Sequence, residues 1–200
     1  AIRDGVFYPL AGPRIAQLKQ MFHYDQVEIF MAIRNPASFV PTVLSKTTPK
    51  RRKQVLQETD MLSLSWSDLV HRIRQDAPDV PITLWCNEDT PLIWGQIIRD
   101  LAGLEPGAKI ESQFSLLYEI MSRDGLKRFR SYLNQHPDIS EMQTRRVVAA
   151  FLDKYAIEEA VEEELDLAGW TNELVDQMTD MYDEDVFAIQ RIPGVQFIEP

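Results

Sequence analysis

Residues 27–33, Val-Glu-Ile-Phe-Met-Ala-Ile, form a near-continuous apolar run with Glu28 as its one charge. That is the pattern of a strand covered on both faces, not of one wetted at alternate residues. The run stops at Arg34-Asn35-Pro36. Pro36 suits the first position of a helix and Asn35 its N-cap, so the strand turns directly into a helix. Phe39, Val40, Val43 and Leu44 give that helix an apolar face, and Pro41 is a point where it kinks or tightens. A second unit repeats the pattern: the turn at 76–81 delivers a strand over Ile82–Cys86, followed by a Glu88-Asp89-Thr90-Pro91 elbow and a helix over Leu92–Leu101. Two strand-then-helix units in series imply parallel strands with right-handed crossovers. The first half of the chain is therefore expected to be α/β.

Around these units the pattern is helical. Ile15, Leu18, Met21 and Phe22 predict a helix from Pro13 to Phe22, and Ser65 an N-cap for Trp66–Gln75 with Asp68 completing a capping-box-like pattern. Residues 46–53 read as a polar, basic loop running into a helix start. From Ser112 onward the strand signal fades. Helices are predicted around Phe114–Met121, around Leu126–Leu133, after a Ser140 cap, and from about Trp170 to Ile189. Val195–Ile198 then forms a short terminal strand or an extended arm. The expected organisation is an α/β core over 1–110 with an α-helical extension over 111–200 packed on the same domain.

A formal net charge of −10 and a pI near 4.8 argue against a nucleic-acid surface. No apolar run approaches the roughly 20 residues needed to span a bilayer and no signal-peptide pattern opens the chain, so a cytoplasmic protein is expected. A single cysteine, Cys86, excludes an intramolecular disulfide and a Cys-rich zinc site, and its apolar surroundings predict a buried, inert thiol.

Arg34 is the leading functional candidate. It places a fixed charge and forked donors at the carboxyl end of a core strand, where open α/β sheets bind ligands, beside the free N–H groups of a helix start. Pairing with Glu28 or Asp25 is the alternative. Glu88 and Asp89 are adjacent carboxylates at a strand end, read as caps of the following helix rather than as an acid/base pair. Lys50-Arg51-Arg52-Lys53 is either a solvated run or a polyanion contact that folds over a ligand at Arg34. His23, His71 and His136 read as surface or packing residues. Between Glu158 and Asp185 lie twelve carboxylates and no Lys or Arg, a solvated amphipathic face or a surface for a protein partner or a second copy. Asp183-Glu184-Asp185 point in different directions on a helix, so no metal site is expected there.

The strand followed by Arg34-Asn35-Pro36, with a hydroxyl eight residues after the arginine at Thr42, resembles the segment by which sulfotransferases hold the 3′-phosphate of 3′-phosphoadenosine 5′-phosphosulfate (PAPS). The family usually has serine at the second position; Thr42 keeps the hydroxyl. A second block resembles the family's strand, Glu-Asp-Leu, Pro and Phe-Leu-Gly-Leu series: Val80 to Glu88-Asp89, then Pro91, then Ile98 to Leu101-Ala102-Gly103-Leu104. Thr90 stands for the usual leucine and Ala102 for the second Leu. Trp66 also falls where many bacterial members have an aromatic. The resemblance covers about residues 1–105. It implies a P-loop-type core, Arg34 and Thr42 as cofactor contacts, PAPS as sulfuryl donor without a metal, and a small-molecule or glycan acceptor bearing a hydroxyl or amine. The family's Lys-bearing phosphosulfate loop and first strand have no counterpart in the 33 residues before Arg34, and no G-x-x-x-x-G-K-[ST] motif occurs anywhere. Either that loop lies upstream or the site has lost it, and an Ala at residue 1 favours the former. Without it the protein would be a non-catalytic relative acting as an interaction module through its acidic C-terminal region.

Overall fold

The handover from strand to helix at Asn35 occurs as the sequence dictates. A computed structural model describes every residue except 162–166 and 168; Glu162, Glu163, Glu164, Leu165 and Asp166 of the acidic tract thus lie outside the described residues. In chain order the elements are β1 (Ile2–Arg3), β2 (Val6–Phe7), α1 (Ala11–Met21), β3 (Ile29–Ile33), α2 (Pro36–Ser45), α3 (Pro49–Glu58), α4 (Trp66–Asp76), β4 (Ile82–Cys86), α5 (Thr90–Leu101), α6 (Leu117–Ile120), α7 (Arg123–Gln135), α8 (Glu141–Tyr155), α9 (Glu158–Val161), α10 (Asn172–Ile189) and β5 (Val195–Phe197). The protein is mixed α/β. A small parallel sheet has the order β3-β4-β5, and β1-β2 is a separate antiparallel pair. Two compact units are distinguished, Ala1–Leu84 with Leu165–Phe197, and Trp85–Glu164 with Ile198–Pro200.

In the first unit the fully covered strand is β4, with Ile82, Thr83 and Leu84 all buried. β3 is shorter and wetter than the apolar run suggested. It begins at Ile29, and Ile29 to Ala32 are only half-buried, because β3 is an outer strand of the sheet. β5 lies parallel to β4 in the register Ile82↔Val195 and Leu84↔Phe197. Arg74 of α4 holds that pairing in place: Nη1 donates to the carbonyls of Pro78 (3.0 Å) and Val80 (2.8 Å), and Nη2 donates to Gly194 O. Gly194 has φ +76°, which favours glycine, and a Cβ there would stand 2.8 Å from Arg74 Nη2 and displace the guanidinium from the Gly194 carbonyl.

The hairpin β1-β2 was not anticipated. Its Asp4-Gly5 turn has φ +54° and +73°, the left-handed pair of a type I′ turn. It delivers Phe7, fully buried, onto the indole of Trp66, with ring centroids 4.1 Å apart and planes 16° from parallel; Phe39 packs edge-on against Trp66 at 5.1 Å.

α2 runs unbroken through Pro41. A proline inside a helix leaves the carbonyl four residues earlier without its donor, here that of Ala37, which is buried. The indole Nε1 of Trp170 donates to this oxygen at 2.8 Å. Asn35 caps the helix through Oδ1 to Ala37 N (2.9 Å), and its Nδ2 donates to Thr179 of α10 (2.9 Å). Trp66 Nε1 donates to Arg34 O at 2.8 Å. α10 also caps α4: Asp185 accepts from Trp66 N (2.6 Å), Ser67 N (3.2 Å) and Ser65 Oγ (2.9 Å). Ser65 takes Asp68 N as expected, but the Asp68 carboxylate accepts from Arg72 rather than reaching back to the cap.

The stretch 46–53 is loop only as far as Thr48, and the basic run itself lies in the helix that follows. Thr48 caps α3 by accepting from Arg51 N, and Pro49 is its first residue. In the second unit, α5 to α8 surround Leu117, Met121, Phe129 and Val148. The helix expected around Phe114–Met121 shrinks to α6, with turns over 111–116, and its end is fixed by Ile157 N donating to Ile120 O (2.8 Å) and Ser122 N to Tyr155 O (2.9 Å). Ser140 and Gln143 form a full capping box on α8. Glu141, next in line, accepts from Arg99 Nη2 (2.5 Å) and Arg145 Nη2 (3.0 Å). Burial alone would push its carboxyl up, but the hydrogen bond from Arg145 and the charge of Arg99 outweigh that and hold it below the usual range.

Trp170→Phe keeps the ring and removes the donor to Ala37 O. It is expected to lower stability by about 1–3 kcal/mol, the cost of leaving a buried carbonyl unpaired. In a Pro41→Ala background, which restores the helix's own N–H, the same substitution should cost clearly less. Denaturant melts of the four proteins in this cycle check it, and equal costs in both backgrounds would refute the pairing.

Candidate functional site

Arg34 follows the last residue of β3 and precedes the cap of α2, so strand and helix fix its backbone from both sides. Its Nε donates to Ser38 Oγ at 3.0 Å. Ser38 Oγ in turn donates to Asn35 O (3.1 Å), and Thr42 Oγ1 donates to Ser38 O (2.8 Å). Ser38 and Thr42, four residues apart, lie on one side of α2, Arg34 ahead of the cap joins them through its bond to Ser38, and all three are half-buried. The structure thus brings the two sequence-predicted residues onto a common neighbour, Ser38, which sequence reasoning missed. Its position midway between them was the available signal. In this arrangement the Thr42 hydroxyl proton points to its own helix, so donation to an anion requires the hydroxyl to rotate.

The expected open N–H groups at the start of α2 are a correction. Pro36 has none, Ala37 N is taken by Asn35 Oδ1, and Ser38 N and Phe39 N donate to Asn35 O at 3.0 and 2.9 Å. The features that make this helix start so readable, an Asn cap and a Pro at the first position, occupy the donors an anion would use. A ligand here would meet side chains.

Asp89 sits at the N-cap of α5 but makes no capping bond. Its φ/ψ of −84°/−9° is helical, whereas a capping side chain reaches the second or third N–H from an extended backbone. The capping role expected for this carboxylate is therefore not met. Burial, and then the neighbouring Glu88, push Asp89 above the usual carboxylate range. Cys86 is half-buried rather than buried. His23 and His71 are exposed, and His136 at the end of α7 has Nδ1 2.9 Å from Tyr132 O in its own helix.

The basic run does not fold over Arg34. Arg51 donates to Ile2 O (2.9 Å) and Gln54 Oε1 (2.9 Å), and Arg52 Nε donates to Leu44 O (3.1 Å). Leu44 is at the far end of α2 from Arg34, roughly 14 Å away along the helix rise. Arg51 instead joins Arg3, Arg14, Leu10 and Val43 around a separate cavity of about 580 Å³ in the same unit, within the size range of small-molecule sites. Among the described residues no group of three or more His, Cys, Asp or Glu could hold a metal ion, and no helix is long and apolar enough to cross a membrane. Comparison with protein-family models, with curated proteins and with solved structures finds no match to this chain.

The Asp89 geometry makes a pH prediction. A carboxyl whose folded pKa is raised contributes stability that is present below its unfolded value and lost as pH rises through the folded one. Asp89→Asn, which cannot ionise, is expected to be at least as stable as the parent at pH 7, with the difference vanishing below about pH 4. Chemical denaturation at the two pH values decides it; a variant weaker at pH 7 would mean that the carboxylate accepts a stabilising bond.

Proposed function

We propose that this chain carries the donor 3′-phosphate site of a sulfotransferase-like protein with a P-loop-type core, which transfers a sulfuryl group from PAPS to a hydroxyl or amine acceptor. The observation that supports the reading best is the row Arg34, Ser38, Thr42 beginning at the carboxyl end of a strand in a parallel sheet. A guanidinium at its head and two hydroxyls along the helix suit a phosphate dianion, with Ser38 as a third contact beyond the two that the resemblance implies. Such a contact is remote from the transferring sulfur. It would act by positioning the donor for in-line attack, so that binding energy far from the reacting centre is used for orientation there. The charge on the transferring group would be met by a lysine-bearing loop outside these residues, and no base is assigned.

One observation favours the second reading, a non-catalytic interaction module. The N–H donors at the start of α2 are used internally, while α10 exposes Glu173, Asp176, Asp180, Asp183 and Glu184 together with Phe187, an acidic surface with an apolar element of the kind that binds basic partners or a second copy.

Calorimetry of the full-length protein with 3′-phosphoadenosine 5′-phosphate separates the two. Micromolar binding is expected, weakened about ten- to a hundredfold in Arg34→Lys, which loses the forked donors but keeps the charge, and less in Thr42→Val. Melting temperatures should stay within a few degrees of the parent. A folded full-length protein that gives no heat with this nucleotide would sink the transferase reading and leave the module.

A further inference from the structure

The second unit contains a cavity of about 250 Å³ whose polar lining includes Arg99, Arg145, Lys109 and Glu141. The charge balance there is incomplete. The side chain of Arg99 is 7% exposed and that of Arg145 13%, and both lean on the one carboxylate of Glu141. Buried charges normally occur paired, and here two buried cations share one anion. Hydrogen bonding is incomplete as well. Arg99 uses Nη2 for Glu141, and among the described residues its other donors have no partner. Arg145 donates from Nη1 to Glu199 O (2.7 Å) and from Nη2 to Gln96 Oε1 (2.5 Å), yet its Nε is buried with no partner among the described residues. A buried donor left open, as Arg145 Nε is, is rare and calls for an explanation. The lining also includes the apolar side chains of Leu92, Phe114, Ile139 and Val148, and Lys109 is exposed.

We propose that this cavity binds a small monocarboxylate with a short apolar body. The carboxylate would take the open donors of Arg99 and the charge of Lys109, and the apolar part would lie against Phe114 and its neighbours. A planar carboxylate matches a guanidinium's donor geometry, and the apolar wall distinguishes an organic acid from a bare inorganic ion. The site is independent of the Arg34 row.

The test is calorimetry of the full chain with sodium benzoate as probe, beside sodium sulfate and uncharged benzyl alcohol at equal ionic strength. Saturable benzoate binding is expected, with none for benzyl alcohol. Lys109→Ala, a surface change that leaves the core intact, should weaken binding about fivefold. Glu141→Gln, which removes the competing carboxylate while the Ser140–Gln143 cap remains, should tighten it about tenfold. No saturable heat, or one affinity across all three proteins, would overturn the proposal. Sulfate binding that follows the same mutational pattern while benzoate gives none would overturn the organic-acid class and assign the cavity to an inorganic oxyanion.

Discussion

The buried carbonyl of Ala37 is the point on which the first unit turns. Pro41 removes the N–H that would have satisfied it, and a proline in a helix interior ordinarily costs about 3 kcal/mol. Trp170 supplies the missing donor from far along the chain. Beside it, Asn35 both caps the helix and bonds Thr179, while Trp66 bonds Arg34 O. Within a few residues, the start of α2 therefore receives bonds from α4, from α10 and from the residue just ahead of α10. A defect that would have bent an isolated helix has become the docking point for two others.

This anchoring also decides what the candidate site can be. Arg34 sits on a backbone held from three directions, which is the rigidity a positioned cation needs. The cost is chemical: the same bonds consume the polar groups of the helix start. An anion site at this place would have to rely on side chains rather than on the open amides of the helix start. That distinguishes it from a phosphate loop, where glycines expose backbone N–H groups to the ligand.

Much of this was legible in local sequence. Ile82–Cys86, the Asn35-Pro36 helix start and the Ser140 cap appear where patterns of burial and capping put them. What failed had particular causes. The apolar run 27–33 predicts a strand but not its neighbours, and lying at the sheet's outer position is what leaves β3 half-wet. The hairpin carried its Asp4-Gly5 signal, yet strands of two residues are too short to show alternation. α3 announced itself through Thr48-Pro49 but has one buried residue, Val55, so no apolar stripe drew attention to it. At the site, Arg34 and Thr42 were readable from spacing and resemblance, whereas Ser38 is an ordinary hydroxyl until its hydrogen bonds are seen. Pro41's missing donor was evident in the sequence; that Trp170 replaces it was not, because the two residues of that bond are 133 positions apart.

The placement of β5 has a consequence for how the protein is made. Its pairing with β4 joins residues more than a hundred positions apart, and Arg74 Nη2 meets its acceptor, the carbonyl of Gly194, only once that residue is made. Contacts of such separation form late and limit folding speed. On the ribosome, where the chain emerges from its first residue onward, the hairpin, α1 to α4 and two strands of the sheet are synthesised well before the third. Until residues 195–197 emerge, the buried strand at the centre of that sheet has one edge unpaired, so the nascent chain passes through an interval in which the strand most deeply buried in the finished sheet is incompletely paired.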